Sequence, residues 1–337
     1  MKVAVGLSGG VDSTVAALLL KEAGYDVVGY AMTLGRRDED VALAATRAVA
    51  ERLDVPLRVC DFATDWKRGV LDDLRTAYLS GLTPNPCVRC NERVKFGSLP
   101  RTAFADGCAR FATGHYARLE DGRLFRAADL GKDQSYFLYR VAPDVLSRTL
   151  LPLGTLTKAE VRDRARAFGL AVADEDDSQD FCGGDPLAYV GAEARPGEMV
   201  TTDGRVVAKH EGFWNFTIGQ RKGLGIGGGG TPYYVVRLDA ARNEVVVGVR
   251  EEGVVRTFDV VEVVGPSLAA LDVCAATGEP LRVKVRSAGE PKGPVTVERT
   301  PSGLRVRAAD GLTGVAPGQS AVFFRADEIL GGGIIAP

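Results

Sequence analysis

Three of the six cysteines in this chain stand where a thiol can react. Cys87 and Cys90 form a Cys-x-x-Cys pair directly after Thr-Pro-Asn-Pro, residues 83–86. Two prolines restrict the backbone, so the sequence predicts a rigid loop, and rigid loops are where proteins place many reactive groups. Cys182 follows the polar segment 176–180. Thiols in such settings transfer sulfur, exchange disulfides or bind metal ions.

A structural zinc site is the first alternative for the Cys-x-x-Cys pair. Zinc takes four ligands, commonly supplied as two such pairs. The chain has no second pair, and its two histidines are His115 and His210, so a structural zinc site is not expected. Cys60, Cys108 and Cys274 stand singly among apolar or small residues, which indicates buried structural thiols.

A polar glycine turn near the start of the chain carries a second kind of chemistry. Residues 3–13 read Val-Ala-Val-Gly-Leu-Ser-Gly-Gly-Val-Asp-Ser and pass straight into a helical pattern. This predicts a strand, an anion-binding loop and a helix whose N-terminal N–H groups favour phosphate. We expect Asp12 to be an exposed ligand for a magnesium ion that bridges phosphate oxygens. The Walker loop is a different motif, because it has Lys where this chain has Asp.

The Ser-Gly-Gly-Val-Asp-Ser motif resembles the pyrophosphate loop of ATP pyrophosphatases. Those enzymes adenylate a carbonyl oxygen and release pyrophosphate, so the resemblance implies ATP as the nucleotide. Met32 ends the second predicted strand at the same sheet edge, where it could contact the adenine. The residues expected to bind ATP are Gly6, Leu7, Ser8, Gly9, Gly10, Val11, Asp12, Ser13, Met32 and Gly114.

Length and composition indicate a globular protein of two or three domains. The chain has 337 residues, of which 45% are apolar and 26% charged. No apolar run reaches the ~18 residues of a membrane span, and the first strand begins directly after Met1-Lys2, so we expect a cytoplasmic protein without a membrane partner. The net charge is −2, but residues 281–307 carry seven Lys or Arg against two Glu. That segment is either a phosphate-binding patch or a solvated strand face.

Strands alternating with helices predict an α/β fold with a doubly wound parallel sheet in the first half of the chain. The predicted strands are 27–32, 57–60 and 110–114, and the predicted helices are 41–53, 66–79 and 157–168. From about residue 190, short alternating runs separated by turn pairs predict antiparallel hairpins. The turn pairs lie at 202–204, 239–240, 278–280 and 309–311. We expect a catalytic domain over 1–188, a small β-rich domain over 189–252 and a C-terminal β-barrel over 253–337.

Six motifs, in order along nearly the whole chain, resemble those of the tRNA-specific 2-thiouridylase family of the MnmA/TrmU type. After the pyrophosphate loop come Thr-Pro-Asn-Pro with Cys-Asn (83–91), Gly-His-Tyr-Ala (114–117), Lys-Asp-Gln-Ser-Tyr-Phe-Leu (132–138), Asp-Ser-Gln with Cys (177–182) and Phe-Thr-Ile-Gly-Gln-Arg-Lys-Gly-Leu-Gly (216–225). The resemblance implies adenylation of the C2 oxygen of the wobble uridine and its replacement by sulfur.

The resemblance also implies roles for the thiols. The position of Cys182 carries a persulfide from a sulfur-relay protein or cysteine desulfurase, and Cys90 is the second catalytic thiol. Attack on the persulfide would leave a Cys90–Cys182 disulfide, so we expect these two residues to meet. Some family members have Asp at Cys87; here three thiols could instead hold an iron–sulfur cluster. Both mechanisms stay open, although a third thiol exceeds what a two-thiol relay needs. Arg89 or Arg93 could lower a thiol pKa.

For tRNA, the resemblance implies binding of the anticodon arm. The expected contact residues are Asn85, Pro86, Cys87, His115, Lys132, Asp133, Gln134, Arg286 and Gln319. Two departures bear on this mapping. Ser287 stands where the family often has an aromatic residue, and residues 34–41 lack the cysteine features common in relatives.

Two other functions compete with thiolation. An amidotransferase-type synthetase would also use a pyrophosphate loop, but it does not need paired thiols. A non-enzymatic tRNA-binding module would explain the barrel but neither the loop nor the thiols.

Overall fold

The computed structural model describes residues 1–36, 39–170, 184–226 and 232–337. The whole Asp-Ser-Gln motif, including Cys182, lies outside these ranges. Within them, no helix is both long and apolar enough to cross a membrane.

The first half of the chain forms the predicted parallel sheet. Its strands are β1 (Lys2–Gly6), β2 (Asp26–Thr33), β3 (Leu57–Asp61), β4 (Arg110–Ala112) and, after two strands described below, β7 (Thr149–Leu150), in the order β3-β2-β1-β4-β7. Every neighbouring pair is parallel. The chain runs from β1 outward to β3 and returns to β4 on the other side of β1. The carboxyl ends of β1 and β4 therefore form the switch point where such sheets bind ligands.

Helices cover both faces of this sheet, as a doubly wound fold requires. They are α1 (Val11–Glu22), α2 (Glu39–Arg52), α3 (Ala63–Trp66), α4 (Asp72–Leu79), α5 (Pro86–Cys90), α6 (Leu99–Ala105), α7 (Pro143–Leu146) and α8 (Lys158–Ala167). The π-helical segments Lys67–Leu71 and Asn91–Ser98 join α3 to α4 and α5 to α6. Residues of β1 alternate between two cores, because Ala4 packs with α6 and Val3 and Val5 pack with α1 and α2.

A mixed four-stranded sheet follows. It contains β8 (Gly197–Thr201), β9 (Val206–His210), β10 (Tyr234–Asp239) and β11 (Glu244–Gly248), in the order β10-β11-β8-β9. The predicted turns at 202–204 and 239–240 do connect two hairpins. The central pair β8–β11 is parallel, so the expectation of purely antiparallel pairing was wrong for that pair.

The C-terminal strands close into a barrel of six. They are β12 (Val254–Val264), β13 (Leu281–Lys284), β14 (Lys292–Thr300), β15 (Gly303–Thr313), β16 (Ser320–Arg325) and β17 (Glu328–Ile335), and the pairing β12–β17 closes the ring. The sequence did not predict α9 (Leu268–Thr277), which Gly278 ends in a left-handed conformation. The turn expected at 309–311 is a bulge within β15 instead.

The barrel and the catalytic domain share a core. A hairpin of the catalytic domain, β5 (Arg118–Glu120) and β6 (Arg123–Phe125), extends the barrel sheet by pairing with β17. In β16, Ala321 and Phe323 face the barrel interior, whereas Val322 and Phe324 pack in the catalytic-domain core. Both faces of β16 are therefore buried, which explains its continuous apolar sequence.

The basic segment 281–307 is partly neutralised by carboxylates. Arg299 Nε donates to Asp272 Oδ1 at 2.6 Å, and Arg305 forms two hydrogen bonds to Asp259 at 2.8 and 2.9 Å. Lys284 is buried. A phosphate-binding patch in this segment would therefore depend on the exposed residues Arg282, Arg286 and Lys292. Cys60, Cys108 and Cys274 are buried, as predicted.

Candidate active site

The pyrophosphate loop is held in shape by its own hydroxyl groups. The Ser8 backbone N–H donates to Ser13 Oγ at 3.2 Å, and Ser13 Oγ and Thr14 Oγ1 donate to the Gly10 carbonyl at 3.1 and 2.8 Å. The loop joins β1 to α1 at the switch point of the sheet. The free N–H groups at the start of the twelve-residue helix α1 therefore face the edge where a ligand would bind.

Two glycines fit this arrangement for steric reasons. Gly9 has φ +81°, and a Cβ there would lie 3.0 Å from the Thr46 nitrogen of α2. A Cβ on Gly114 would lie 2.6 Å from the Asp12 carbonyl carbon and 2.7 Å from the Ser13 nitrogen. The loop after β4 therefore packs directly against the first turn of α1, which brings the Gly-His-Tyr-Ala motif to the pyrophosphate loop.

Asp12 is engaged by two partners that sequence reasoning did not identify. Lys158 Nζ donates to Asp12 Oδ1 at 2.7 Å, and Tyr116 Oη donates to the same oxygen at 2.8 Å. The Lys158 side chain is 10% exposed and that of Asp12 is 32% exposed. Asp12 is therefore half-buried rather than exposed as expected, and its role as a magnesium ligand stays a prediction. In this ion pair the lysine is largely buried, whereas the carboxylate is open to solvent on one side.

The sequence does contain a signal for the start of the helix that carries Lys158, although not for its pairing with Asp12. Thr157 accepts a hydrogen bond from the Glu160 N–H, and the Glu160 side chain accepts from the Thr157 N–H, which is a capping box that marks the start of α8. This helix follows β7, a strand of the parallel sheet, so its N-terminus lies at the carboxyl edge of the sheet. A lysine in a first helical turn is unfavourable next to the helix dipole, and the Asp12 carboxylate offsets that effect.

The Cys-x-x-Cys pair lies on a short helix, α5, which we call the cysteine helix. Asn85 caps it by accepting the Val88 N–H at 3.2 Å, and Pro86 occupies its first turn. Cys90 is 2% exposed and Cys87 is half-buried. Because they are three positions apart, both thiols lie on one helix face, in an apolar cluster with Met32, Leu34, Trp66 and Val94.

This cluster connects the thiols to the sheet edge. Met32 lies in β2, whose carboxyl end neighbours the pyrophosphate loop, so the structure places it close to the thiols as well as to the predicted nucleotide site. Asn91 Nδ2 donates to the Cys87 carbonyl at 3.0 Å and so ties the cysteine helix to the π-helical segment. The expected meeting of Cys90 with Cys182 stays a prediction, because Cys182 lies outside the described residues.

The two arginines near the thiols are paired with carboxylates. Arg89 Nη1 lies 3.1 Å from Glu92 and Arg93 Nη1 lies 2.6 Å from Asp73. Burial disfavours the charged form of Arg89, but its carboxylate partners outweigh that effect and raise its pKa. Their positive charge is therefore largely compensated, which weakens the expectation that they lower a thiol pKa.

His115 follows Gly114, which packs against the first turn of α1, and its ring is neutral. Its Nδ1 is 2.8 Å from Thr113 Oγ1, and its ring packs 5.4 Å from that of Phe96. Burial and the nearby charge of Lys95 lower the pKa of His115 to about 3. His115 therefore has hydrogen-bonding capacity at neutral pH but no charge to offer a phosphate.

We expect His115 to make folding stability depend on pH. The unfolded pKa is ~6.5, whereas the folded pKa is about 3, so the unfolded chain takes up the proton first as the pH falls. The contribution to stability is present above pH ~6.5 and is lost as the pH falls towards the folded pKa. Urea unfolding at pH ~7.5 and ~5.5 should show a larger decrease for wild type than for His115→Gln. Equal decreases in the free energy of unfolding for the two proteins would contradict the lowered pKa of His115. His210 is present in both proteins, so its own pH dependence cancels in the comparison.

The other residues expected to bind tRNA fall into two groups. Asp133 is internal: its side chain is 2% exposed, and it accepts hydrogen bonds from Ala127 N, Ser135 N and Ser135 Oγ. Gln134 Oε1 accepts the Tyr116 N–H at 3.0 Å. Both therefore hold the Lys-Asp-Gln-Ser-Tyr-Phe-Leu segment in shape. Lys132 is half-buried and Arg286 is exposed.

The barrel brings Gln319 close to the cysteine helix. The Pro317 carbonyl accepts the Thr83 N–H at 2.8 Å, which joins the Pro-Gly-Gln turn to the Thr-Pro-Asn-Pro loop. Tyr136 Oη and Tyr139 Oη donate to the backbone oxygen and the Oγ of Ser320, each at 3.0 Å. The structure thus places Asn85, Pro86, Cys87 and Gln319 at one junction between the two domains.

Known proteins resemble this chain along most of its length. Three family models match in order: a tRNA methyl transferase HUP domain over residues 1–183, a tRNA methyl transferase PRC-barrel domain over 187–249 and an aminomethyltransferase beta-barrel domain over 274–335. The relative from Endomicrobium trichonymphae, a tRNA-specific 2-thiouridylase MnmA, is 40% identical over 99% of both chains. The chain belongs to the tRNA-specific 2-thiouridylase family.

Another member of this family, from Maricaulis maris, is 44% identical over 99% of this chain and 87% of its own length. The relatives are thus named as thiouridylases, although two of the family models carry the words methyl transferase. A solved 4-thiouridine synthetase–RNA complex with bound ATP matches 54% of this chain and 44% of its own at 17% identity, with a TM-score of 0.37. That similarity is too low to support a conclusion.

Proposed function

We propose that this protein is an ATP-dependent tRNA-uridine 2-sulfurtransferase that converts the wobble uridine of tRNA to 2-thiouridine, with AMP and pyrophosphate as the other products. The observation that carries the proposal is the position of the cysteine helix. It lies in one apolar cluster with Met32 at the edge of the sheet where the pyrophosphate loop begins α1. A site that places an adenylation loop beside reactive thiols fits thiolation. It fits less well an enzyme that only adenylates its substrate or one that only uses thiols.

The first step needs a charged leaving group held in place. The uridine C2 oxygen attacks the α-phosphorus of ATP, and the bond to pyrophosphate breaks. The N–H groups at the start of α1 and the hydroxyls of Ser8 and Ser13 would hold the departing pyrophosphate. Lys158 Nζ lies 2.7 Å from Asp12 Oδ1. Its ammonium group is therefore placed to interact partly with the phosphate oxygens when ATP adds their negative charge to the site.

The residues present fit a magnesium ion at Asp12. Both described contacts of Asp12 use Oδ1, and the side chain is 32% exposed, so Oδ2 is available to a cation. A magnesium ion bound there would neutralise phosphate charge and orient the leaving group. Lys158 and Tyr116 would hold the carboxylate in position for it.

In the second step, sulfur replaces the activated oxygen. Sulfur attacks C2 of the adenylated uridine, and the bond from C2 to the AMP oxygen breaks. In the relay form of the reaction, the Cys182 persulfide supplies this sulfur. The Cys90 thiolate attacks Cys182 Sγ, and the bond between Sγ and the transferred sulfur breaks. The sulfur stays on C2, and the Cys90–Cys182 disulfide that forms must be reduced before the next turnover. The sulfur donor would be a relay protein or a cysteine desulfurase, in the cytoplasm where tRNA and ATP are available.

The cluster form of the reaction uses Cys87 as well. Two of the three thiols, Cys87 and Cys90, lie on one face of the cysteine helix. This arrangement suits two ligands of the same iron–sulfur cluster. A cluster held by Cys87, Cys90 and Cys182 would supply an open iron site for the incoming sulfur. Apart from holding such a cluster, the cysteine helix would only present its two thiols at the edge of the sheet.

We further propose that the anticodon arm lies across the junction of the two domains. The catalytic domain would span 1–188, a β-rich domain 189–252 and the barrel 253–337. Asn85, Pro86, Cys87 and Gln319 would surround the target base. A base that undergoes chemistry must leave its stack, and the anticodon loop offers it at little energetic cost. His115, Lys132 and Arg286 would contact neighbouring nucleotides, whereas Asp133 and Gln134 would act by shaping their segment.

The direct test of this function is nucleoside analysis. Purified protein with ATP, magnesium, unmodified tRNA and a sulfur donor should produce 2-thiouridine, measured by mass spectrometry of digested tRNA. Omission of ATP should abolish the product. If the nucleosides from a deletion strain retained all their 2-thiouridine derivatives, the proposal would be wrong.

Substitution of Cys87 separates the two forms of sulfur transfer. If a cluster operates, Cys87→Ser replaces a soft thiolate by a weak oxygen ligand, so anaerobically reconstituted protein should lose iron and activity together. If the relay operates, the variant should keep substantial activity without iron. Iron content and thiolation rate are measured on the same sample, beside wild type. Fully active, iron-free wild type would eliminate the cluster.

A further inference from the structure

Glu262 of the barrel joins β12 to the cysteine helix. Its Oε2 accepts hydrogen bonds from Arg89 Nη2 at 2.8 Å and from Arg140 Nη2 at 3.2 Å. Its backbone carbonyl accepts a third, from Arg140 Nη1 at 3.1 Å. Arg89 lies between Cys87 and Cys90 in the chain, so this carboxylate acts on the segment that carries both thiols.

The backbone at Glu262 is unusual for a non-glycine residue. Its φ is +50°, a conformation that L-residues seldom adopt. The pairing of β12 with β17 also changes register between Val261 and Val264, so Glu262 lies in an irregular part of the ladder. Strain of this kind persists where surrounding contacts determine it, and it is frequent at functional sites. Here those contacts belong to the catalytic domain rather than to the barrel.

The two arginines need the carboxylate because they are poorly exposed. The Arg89 side chain is 18% exposed and that of Arg140 is 6% exposed. Glu92, in the π-helical segment after the cysteine helix, lies 3.1 Å from Arg89 and 2.9 Å from Arg140. Asp73 lies 4.0 Å from Arg89 Nε, but it also pairs with Arg93 at 2.6 Å. Without Glu262, the three arginines would therefore share two carboxylates, Glu92 and Asp73, and would carry excess, poorly solvated positive charge.

We propose that Glu262 is a positioning residue that fixes the cysteine helix against the barrel, so that tRNA held by the barrel meets Cys87 and Cys90 in reactive geometry. The proposal rests on the thiolation function argued above. It assigns no chemical step to Glu262. It explains why a half-exposed barrel residue is held in a left-handed conformation beside two arginines of another domain.

The test compares Glu262→Gln with Asp259→Asn. Asp259 lies on the same strand and forms two hydrogen bonds with Arg305, but both partners belong to the barrel, which makes it the matched control. We expect Glu262→Gln to lower kcat for thiolation about tenfold, because small displacements of reacting groups have large effects on rate. The Kd for ATP should stay within about twofold, since the pyrophosphate loop is not displaced.

A second readout follows the helix without any turnover. Alkylation of Cys87 by iodoacetamide, measured by peptide mass spectrometry, should be roughly threefold faster in Glu262→Gln, because a loosened helix opens more often. Raising ionic strength from ~0.05 to ~0.5 M should accelerate alkylation of wild type, by screening the half-exposed Glu262, but not of the variant. Thermal unfolding shows whether the variant remains folded.

The outcomes separate clearly. Slower thiolation, faster alkylation and lost salt dependence in Glu262→Gln alone support the positioning role. Wild-type values for all three would overturn it, and so would equal changes in Asp259→Asn, which would indicate a general loss of barrel stability. If wild type produced no 2-thiouridine, the proposed function would fail, whereas the alkylation comparison would still decide the role of Glu262.

Discussion

Replacing Asp12 by Asn should lower the rate of pyrophosphate release by about a thousandfold or more, since a charged group at the reacting phosphates is lost. The amide keeps an oxygen that can accept from Lys158 and Tyr116, but it has no negative charge for a magnesium ion or for Lys158. Asn is preferable to Ala here. An alanine would remove the carboxylate that offsets the charge of Lys158, whose side chain is only 10% exposed.

The fold of Asp12→Asn should remain intact. We expect a loss of unfolding free energy of about 1–2 kcal/mol, typical of weakening one charged hydrogen bond. The measurement is pyrophosphate release with tRNA and ATP, beside urea unfolding. Asp72→Asn is the matched control, because Asp72 also pairs with a lysine, Lys67 at 2.8 Å, on the exposed surface. Wild-type pyrophosphate release by Asp12→Asn would remove the loop from the proposed site.

Replacing Cys90 by Ser should abolish formation of 2-thiouridine, with a residual rate below about a thousandth of wild type. A serine hydroxyl is not ionised at neutral pH, and it can neither attack a persulfide nor bind soft iron, so the expectation holds for both forms of the reaction. Pyrophosphate release should persist, because adenylation precedes sulfur transfer. The two rates, measured on one preparation, separate activation from sulfur delivery.

Cys108→Ser is the control for burial. Both thiols are 2% exposed, so each substitution places a hydroxyl in an apolar core, with a comparable loss of stability of about 1–3 kcal/mol. Cys108 lies near Tyr30 Oη in a different cluster and has no expected role in catalysis. Full thiolation by Cys90→Ser with a physiological sulfur donor would show that this thiol is dispensable.

The sequence predicted the parallel sheet because each of its elements carries a local signal. Residues 3–5 are apolar without interruption, and Val11 begins a helix directly after a glycine turn. It did not predict α9, whose apolar run Leu-Ala-Ala-Leu-Asp-Val-Cys-Ala-Ala-Thr lies in a domain that otherwise reads as hairpins. Turn signals were also ambiguous, because a glycine that marks a turn in the sequence does not show which kind of turn it forms. The same glycine chemistry ends a helix at Gly278 and forms a bulge at Gly311.

The candidate site was predictable where function resides in short motifs. The pyrophosphate loop and the Cys-x-x-Cys pair could be recognised from neighbouring residues. The pairing of Asp12 with Lys158, 146 positions away, depends on how α8 packs against α1 and has no local signature. The contacts of Glu262 with Arg89 and Arg140 depend likewise on the docking of two domains.

The shared core between the catalytic domain and the barrel has a consequence for synthesis of the protein. Leu124 is completely buried, and Val322, Phe324 and Ile329 belong to the same cluster, yet these partners leave the ribosome about 200 residues after it. Until they arrive, the nascent chain presents an apolar patch and the free edge of β6. Such an edge invites pairing with other chains. Translation itself therefore creates an interval in which this apolar surface is open to other chains, and we expect a catalytic domain produced alone to keep it exposed.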